Sequence, residues 1–353
     1  MSSRVALVGT GLIGRAWAIA FARGGYDVVL YNRSPEGVSR ALGFIDSVLG
    51  DLARFGLLGG ATPQAIRARM STASDLDEAL HDADYIQENV QEDLTLKKSV
   101  FADLDRLAPP RVPIGSSASA LMPSLLFPDL QTRERFIVAH PTNPPYLVPA
   151  VEIVPSPWTA PEVTERVLSL MVDIGQAPLL MERELDGFVM NRLQGALLQE
   201  AFRLVAEGYA TPEAVDIGVR RGLGLRWSII GPFETIDLNA PNGIRDYIER
   251  YEPVFKRLWQ TQKYIVSWSG ELAERLEAER NALVPRAWLT ARQAWRDRRL
   301  MALMAHINQA ERDVGWDDSP TGAATAAGEA STPPAEGQRA SMPPSTGRTT
   351  PVR

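Results

Sequence analysis

Short apolar runs alternate with longer segments of helical period along the first half of the chain. Residues 4–8, RVALV, lead into a glycine-rich turn and then into apolar positions of helical spacing to about residue 24. Residues 27–31, DVVLY, are again apolar and rich in β-formers. This reads as strand, tight turn, helix and strand within about 30 residues. Residues 35–55 carry a second helical pattern, and Thr62-Pro63 opens another, with proline at the first helical position. Further strands are expected near residues 70–72, 85–88, 112–115 and 136–139, with a helix over 94–107. Residues 151–154 and 178–181 read as two more strands around a helix over 160–175. Strands alternating with helices predict a parallel sheet covered on both faces, a doubly wound α/β domain over residues 1–184. Beyond Glu184 the strand pattern stops. Val189, Leu193, Leu197, Ala201 and Leu204 form a helical stripe within residues 186–207, and helical patterns continue to about Arg312. An all-α domain over residues 185–314 is therefore expected. From Gly315 onward Ala, Gly, Ser, Thr and Pro dominate, and residues 315–353 are expected to stay unfolded for want of large apolar groups.

Composition narrows the function classes. A net charge of −6 and no stripe of Lys and Arg argue against a nucleic-acid partner. No apolar run reaches the roughly 18 residues of a membrane span, and no charged leader precedes the first strand. The chain has no cysteine, which excludes disulfides and thiolate chemistry and fits a cytoplasmic location. Three histidines, His81, His140 and His306, are the only imidazoles available to a reaction.

The turn after the first strand is Gly9-x-Gly11-x-x-Gly14. In a Rossmann domain the first glycine permits the turn, the second admits a pyrophosphate and the third lets helix and strand approach. Gly9, Gly11, Leu12, Ile13 and Gly14 are thus candidates for the floor of a dinucleotide site. An acid that grips the adenosine ribose should end the second strand, but Asn32-Arg33-Ser34 stands there. Asn32 lacks the charge that repels a 2′-phosphate. Arg33 and Ser34 could bind one, so local chemistry leans toward NADP. The alternative is that Arg33 stacks on adenine or faces solvent and NAD is used.

A second anomaly is HPTNPPYLVPAVEIV, residues 140–154. His140 follows a strand, and Glu152 lies inside an apolar one, where a lone carboxylate is costly unless paired. A His–Glu pair would fix the imidazole tautomer and raise its basicity, as removal of a hydroxyl proton during hydride loss requires. Glu152→Gln should then cost less than loss of the imidazole. Otherwise His140 is a satisfied loop residue and Glu152 faces water from an edge strand. Ser116, Ser117 and Ser119 follow another strand, at the end that faces a ligand crevice, and either hold a substrate alcohol or cap the next helix. Asn191, amid apolar neighbours early in the first helix of the second domain, could polarise a carbonyl oxygen or bond a neighbouring helix.

The glycine turn, NVQEDLTLKKSVFADLD (residues 89–105), the Ser119 loop, AHPTNPP, Glu152 and GFVMNRL occur in order with matching spacing. Together they resemble the 3-hydroxyacyl-CoA dehydrogenase family over residues 5–312. Within it, QEDLTLKK, LMPS, AHPTNPPY, NRLQ, GLGLRWSIIGPFETIDLNA and ARQAWRD resemble the lambda-crystallin and L-gulonate 3-dehydrogenase branch. The resemblance implies His140 as general base, Glu152 as its partner, and Ser119 and Asn191 on the reacting oxygen. It places Glu92 and Lys97 near the nicotinamide ribose and Asn143 in the pocket wall. It also implies NAD as cofactor, no metal, and a homodimer formed through the helical domain. Asn32 departs from the aspartate usual in the family, which leaves NADP open. Before Gly231-Pro232-Phe233 the chain carries Leu225-Arg226-Trp227-Ser228-Ile229-Ile230, a longer stretch similar to branches acting on free hydroxy acids such as gulonate and carnitine. Arg226 is the candidate for a free carboxylate, or else a structural or solvent-facing residue. The expected activity is an NAD(P)-dependent L-3-hydroxy acid dehydrogenase acting on a free, L-gulonate-like acid. The alternatives are a 3-hydroxyacyl-CoA dehydrogenase and a non-enzymatic, crystallin-like nucleotide-binding protein.

Overall fold

The computed structural model describes residues 3–263 and 265–314. The tail over 315–353, expected to stay unfolded, lies outside the described residues. Residues 1–305 make one compact unit, and residues 306–353 are divided from it as a second.

Eight strands form one sheet: β1 (Arg4–Val8), β2 (Asp27–Tyr31), β3 (Met70–Thr72), β4 (Tyr85–Glu88), β5 (Ile114–Ser116), β6 (Phe136–Pro141), β7 (Ala150–Pro155) and β8 (Ala177–Leu180). Their spatial order is β3-β2-β1-β4-β5-β6-β7-β8. The first six strands run parallel, with the order reversing between β1 and β4, the doubly wound arrangement. Alternate residues of β1 serve opposite layers. Val5 and Leu7 join a core with Trp17, Ile19 and Phe21 of α1 (Leu12–Arg23), Ile45 and Leu49 of α2 (Pro35–Arg54), and Met171. Ala6 and Val8 face Phe101 and Leu104, with Phe127 and Phe136 beyond. Every strand that carries the site is thus buried on both faces.

The expectation of a wholly parallel sheet fails at one place: β7 pairs antiparallel with β6. A parallel return needs a crossover of a dozen or more residues. Only residues 142–149 join these two strands, so the chain turns back beside β6. That return sets His140 directly opposite Glu152.

The strand expected over 112–115 forms over Ile114–Ser116 instead, so Ser116 is part of the sheet. The helix expected from residue 186 begins at Met190. Gly187 and Phe188 before it have φ of 76° and 49°, left-handed backbone that no right-handed helix continues. After β8 the described residues are helical wherever they are regular. Met301, within the last helix Leu289–Val314, is buried in the same core as Trp17 and Ile45. The segment after residue 184 therefore does not pack only on itself.

Candidate active site

The glycine turn shows three different demands. Gly9 has φ of 97°, and a Cβ on Gly14 would lie 1.9 Å from the Gly9 carbonyl oxygen, so helix and turn can meet only without a side chain. A Cβ on Gly11 would meet nothing within 4 Å. Gly11 begins α1 without a side-chain cap, whereas Ser34 caps α2. The first-turn N–H groups of α1 are therefore open to an anion. Beside them the Thr10 hydroxyl is buried with no hydrogen-bond partner among the described residues. An open, uncapped helix start and an unpartnered donor fit a dinucleotide pyrophosphate and its ribose.

A cleft of about 1100 Å3 opens from this turn along the carboxyl ends of β1, β4 and β5. Gly11, Leu12 and Ile13 line it, and so do Glu92, Ser119, His140, Asn143 and Asn191. The structure thus brings together residues separated by up to 180 positions.

His140 and Glu152 form a tight contact, with Nδ1 2.6 Å from Oε2. The imidazole is 12 % exposed and the carboxylate not at all. The other carboxylate oxygen has a second use: Oε1 accepts the Val189 and Met190 N–H groups at 2.7 and 2.8 Å. These are the open donors at the start of α3 (Met190–Ala206), which has no side-chain cap of its own. Burial alone would push the Glu152 carboxyl up. The His140 contact and the two backbone donors outweigh burial and hold it below the usual carboxylate range. An ionised Glu152 accepts only, so His140 carries its proton on Nδ1 and keeps an acceptor lone pair on Nε2. The Phe188 ring, fully buried, packs 5.7 Å from the imidazole centroid.

The three serines separate by partner. Ser116 donates to Glu88 at 2.6 Å and accepts the Ala118 N–H within its own loop, and the next helix, Pro123–Leu126, takes no side-chain cap from any of the three. Ser117 accepts from Trp17 and Gln87 and donates to Asn89, which saturates its hydroxyl. Ser119 alone keeps a lightly engaged hydroxyl in the cleft, 3.4 Å from Glu92 Oε1. Glu92 Oε1 also accepts the Ser119 and Ala120 N–H groups, which fixes that loop. Asn191 donates to the Ser119 carbonyl at 2.6 Å, tying α3 to the same loop.

Several expected site residues lie elsewhere. Lys97 does not line the cleft. It is 1 % exposed, with its ammonium 2.9 Å from both Glu88 oxygens, 3.2 Å from the Val90 carbonyl and 3.7 Å from Glu92. Placed on the helix Leu94–Leu107, it pairs with Glu88, whose carboxyl burial holds above the usual range although Lys97 opposes the shift. Arg226 is also outside the cleft lining. Residues 224–227 are a short helix rather than an extended loop, and adjacent helical positions point about 100° apart. Trp227 faces the cleft, and the Arg226 side chain is exposed. Asn32 and Arg33, at the end of β2, also stand outside the cleft lining. Sequence reasoning missed Trp227, Gln194 and Leu197 as cleft residues, although the helical stripe that marks Leu193 and Leu197 was visible. It missed Phe188 as well, for which Gly187 before it was the available signal.

The 3-hydroxyacyl-CoA dehydrogenase NAD binding domain matches residues 4–185, and the 3-hydroxyacyl-CoA dehydrogenase C-terminal domain matches residues 187–272. The lambda-crystallin homolog of Mus musculus is 44% identical over 302 residues, 85% of this chain and 94% of that protein. L-carnitine dehydrogenase of Oceanobacillus iheyensis is 38% identical over 274 residues, 77% of this chain and 88% of its own. Among solved structures, the NAD+-dependent 5-formyl-3-hydroxy-2-methylpyridine 4-carboxylic acid 5-dehydrogenase superposes with a TM-score of 0.74 at 27% identity, covering 86% of this chain and 97% of that one. With an NAD-binding domain, a matching helical domain and a His–Glu pair in the cleft between them, this chain belongs to the 3-hydroxyacyl-CoA dehydrogenase family.

Proposed function

We propose that this protein oxidises the C3 hydroxyl of a small free L-3-hydroxy acid, of the L-gulonate type, with NAD as hydride acceptor. The observation that carries this reading is the His140–Glu152 pair at the cleft wall, with its carboxylate ionised and its imidazole holding a free acceptor. NAD, when bound on the Gly9–Gly14 turn, supplies the hydride acceptor. His140 takes the hydroxyl proton on Nε2, and the ionised Glu152 stabilises the imidazolium that results. Ser119 and Asn191 stand beside it as donors to the oxygen that becomes a carbonyl.

The free-acid reading is supported by the similarity to L-carnitine dehydrogenase and to lambda-crystallin homologs, since carnitine is itself a free 3-hydroxy acid. In this reading amides and hydroxyls receive the carboxylate, because among the described residues neither Lys nor Arg lines the cleft. That absence, with Leu12, Leu193, Leu197 and Trp227 in the wall, favours a second reading in which an acyl-CoA is oxidised. Steady-state rates with NAD on a panel of free 3-hydroxy acids and on 3-hydroxybutyryl-CoA separate the two. A kcat/KM for the CoA ester above that of every free acid overturns the first reading. We further propose a homodimer through the helical segment. Support comes from Ile229, Phe233, Leu238 and Trp259, exposed by 84, 75, 67 and 52 % in the single chain. A monomer in sedimentation equilibrium at micromolar concentration overturns it.

A further inference from the structure

The loop after β2 answers the question raised by its missing acid. Asn32 turns its amide nitrogen inward and donates to the Ser34 carbonyl at 3.0 Å. The fit is close, since a Cβ on Gly37 would lie 2.3 Å from that nitrogen and 3.6 Å from the Thr10 hydroxyl. The amide oxygen is left as an uncharged acceptor. It can take a ribose hydroxyl, but it cannot repel a phosphate. The Ser34 hydroxyl is not free for a phosphate either. It accepts the Gly37 N–H at 3.3 Å as the cap of α2 and donates to Glu36 Oε2 at 2.5 Å. Ser34 therefore holds a carboxylate at the position where the sequence offered a hydroxyl. The Arg33 side chain is exposed and has no hydrogen bond or ion pair among the described residues.

We infer that Glu36 sets the dinucleotide specificity of this chain. Its carboxylate, held on the Ser34 hydroxyl, replaces the missing acid at residue 32, excludes a 2′-phosphate and opposes the attraction of Arg33. Asn32 supplies hydrogen bonding to the ribose without charge, and Glu36 supplies charge without needing to touch the ribose. The inference rests on the dinucleotide reading of the Gly9–Gly14 turn.

The test is the dissociation constant of NADH and of NADPH, measured by titration calorimetry and by quenching of tryptophan fluorescence. The unmutated protein should bind NADH about tenfold or more tightly than NADPH. In Glu36→Gln the amide oxygen still accepts the Ser34 hydroxyl, so the helix cap survives and only the charge is lost. NADPH should then tighten roughly tenfold, with NADH changed by no more than about twofold. Adding Arg33→Ala should remove that gain. An NADPH-to-NADH ratio unchanged by Glu36→Gln, or an unmutated protein that prefers NADPH, overturns the role of Glu36. Failure to bind either nucleotide overturns the reading of the glycine turn as well.

Discussion

Replacement of Glu152 by glutamine tests the site most sharply, because the structure reverses what the sequence suggests. On sequence grounds the imidazole survives Glu152→Gln, so the loss should be smaller than for His140→Asn. In the structure one oxygen of Glu152 faces His140 and the other takes two backbone N–H groups at 2.7 and 2.8 Å. An amide has one oxygen and one NH2 group, so it must choose. Turning its NH2 group toward the helix would strand two donors in a buried place, at about 1–3 kcal/mol each. Turning its oxygen toward the helix keeps both bonds and aims the NH2 group at His140 Nδ1. That nitrogen must then accept, and the proton moves to Nε2, the position from which the base acts. The second arrangement is favoured by several kcal/mol on this count, so the variant holds the wrong tautomer. Its kcat should fall by roughly 10²–10⁴, the worth of a general base, as far as in His140→Asn. The melting temperature and the NADH dissociation constant should change little, because the helix keeps its acceptor. Stopped-flow or steady-state oxidation rates across pH, beside both constants, check this. A Glu152→Gln variant with kcat within a few-fold of the unmutated protein would refute the reasoning.

Other expectations follow from the same geometry. Gly11→Ala adds a methyl group into open space, so the melting temperature should hold while the NADH dissociation constant rises about tenfold. Gly14→Ala forces a contact 1.9 Å from Gly9, and a fall of several degrees in melting temperature should appear by calorimetry. Arg226→Ala should leave KM within about twofold, and Trp227→Ala, which strips a cleft wall, should raise it about tenfold in steady-state kinetics. Glu152 has a folded pKa below its unfolded value of about 4.3. Its stabilisation is therefore complete above that pH and disappears as pH falls through the folded value. In urea titrations the unmutated protein should therefore lose stability relative to Glu152→Gln over that acid range.

Much of the fold could be read from period alone. The runs at residues 5–8 and 28–31 are strands because their side chains are apolar on both faces, which only a covered sheet accepts. The direction of β7 could not be read that way, since strand composition does not encode parallel or antiparallel pairing. The short connection over residues 142–149 was the usable signal. His140 and Glu152 were legible because one residue was out of place for its strand and the other was the only nearby partner. Trp227 was not legible, because a four-residue helix at Gly224–Trp227 decides which of two neighbours faces the cleft. Lys97 was visible as part of a motif, but its burial depends on Glu88, a contact across nine residues that no periodicity announces.

The carboxylates around the cleft share one device, and it shapes what the site offers to a substrate. Glu152 takes the N–H groups that open α3, Glu92 takes those of Ser119 and Ala120, and Glu88 takes that of Val90. In each case a side chain from one segment satisfies backbone donors that a turn or helix start leaves open. Glu88 is further paired with Lys97, and Glu152 faces the one imidazole in the cleft. The acids therefore fix loops and set a tautomer, while hydroxyl, amide and aromatic side chains are left to line the cleft beside His140. Removing one acid should accordingly disturb two segments at once. Removing Asn191 disturbs only its tie to the Ser119 carbonyl and its donor in the cleft. That asymmetry separates the groups that hold the site from those that act in it.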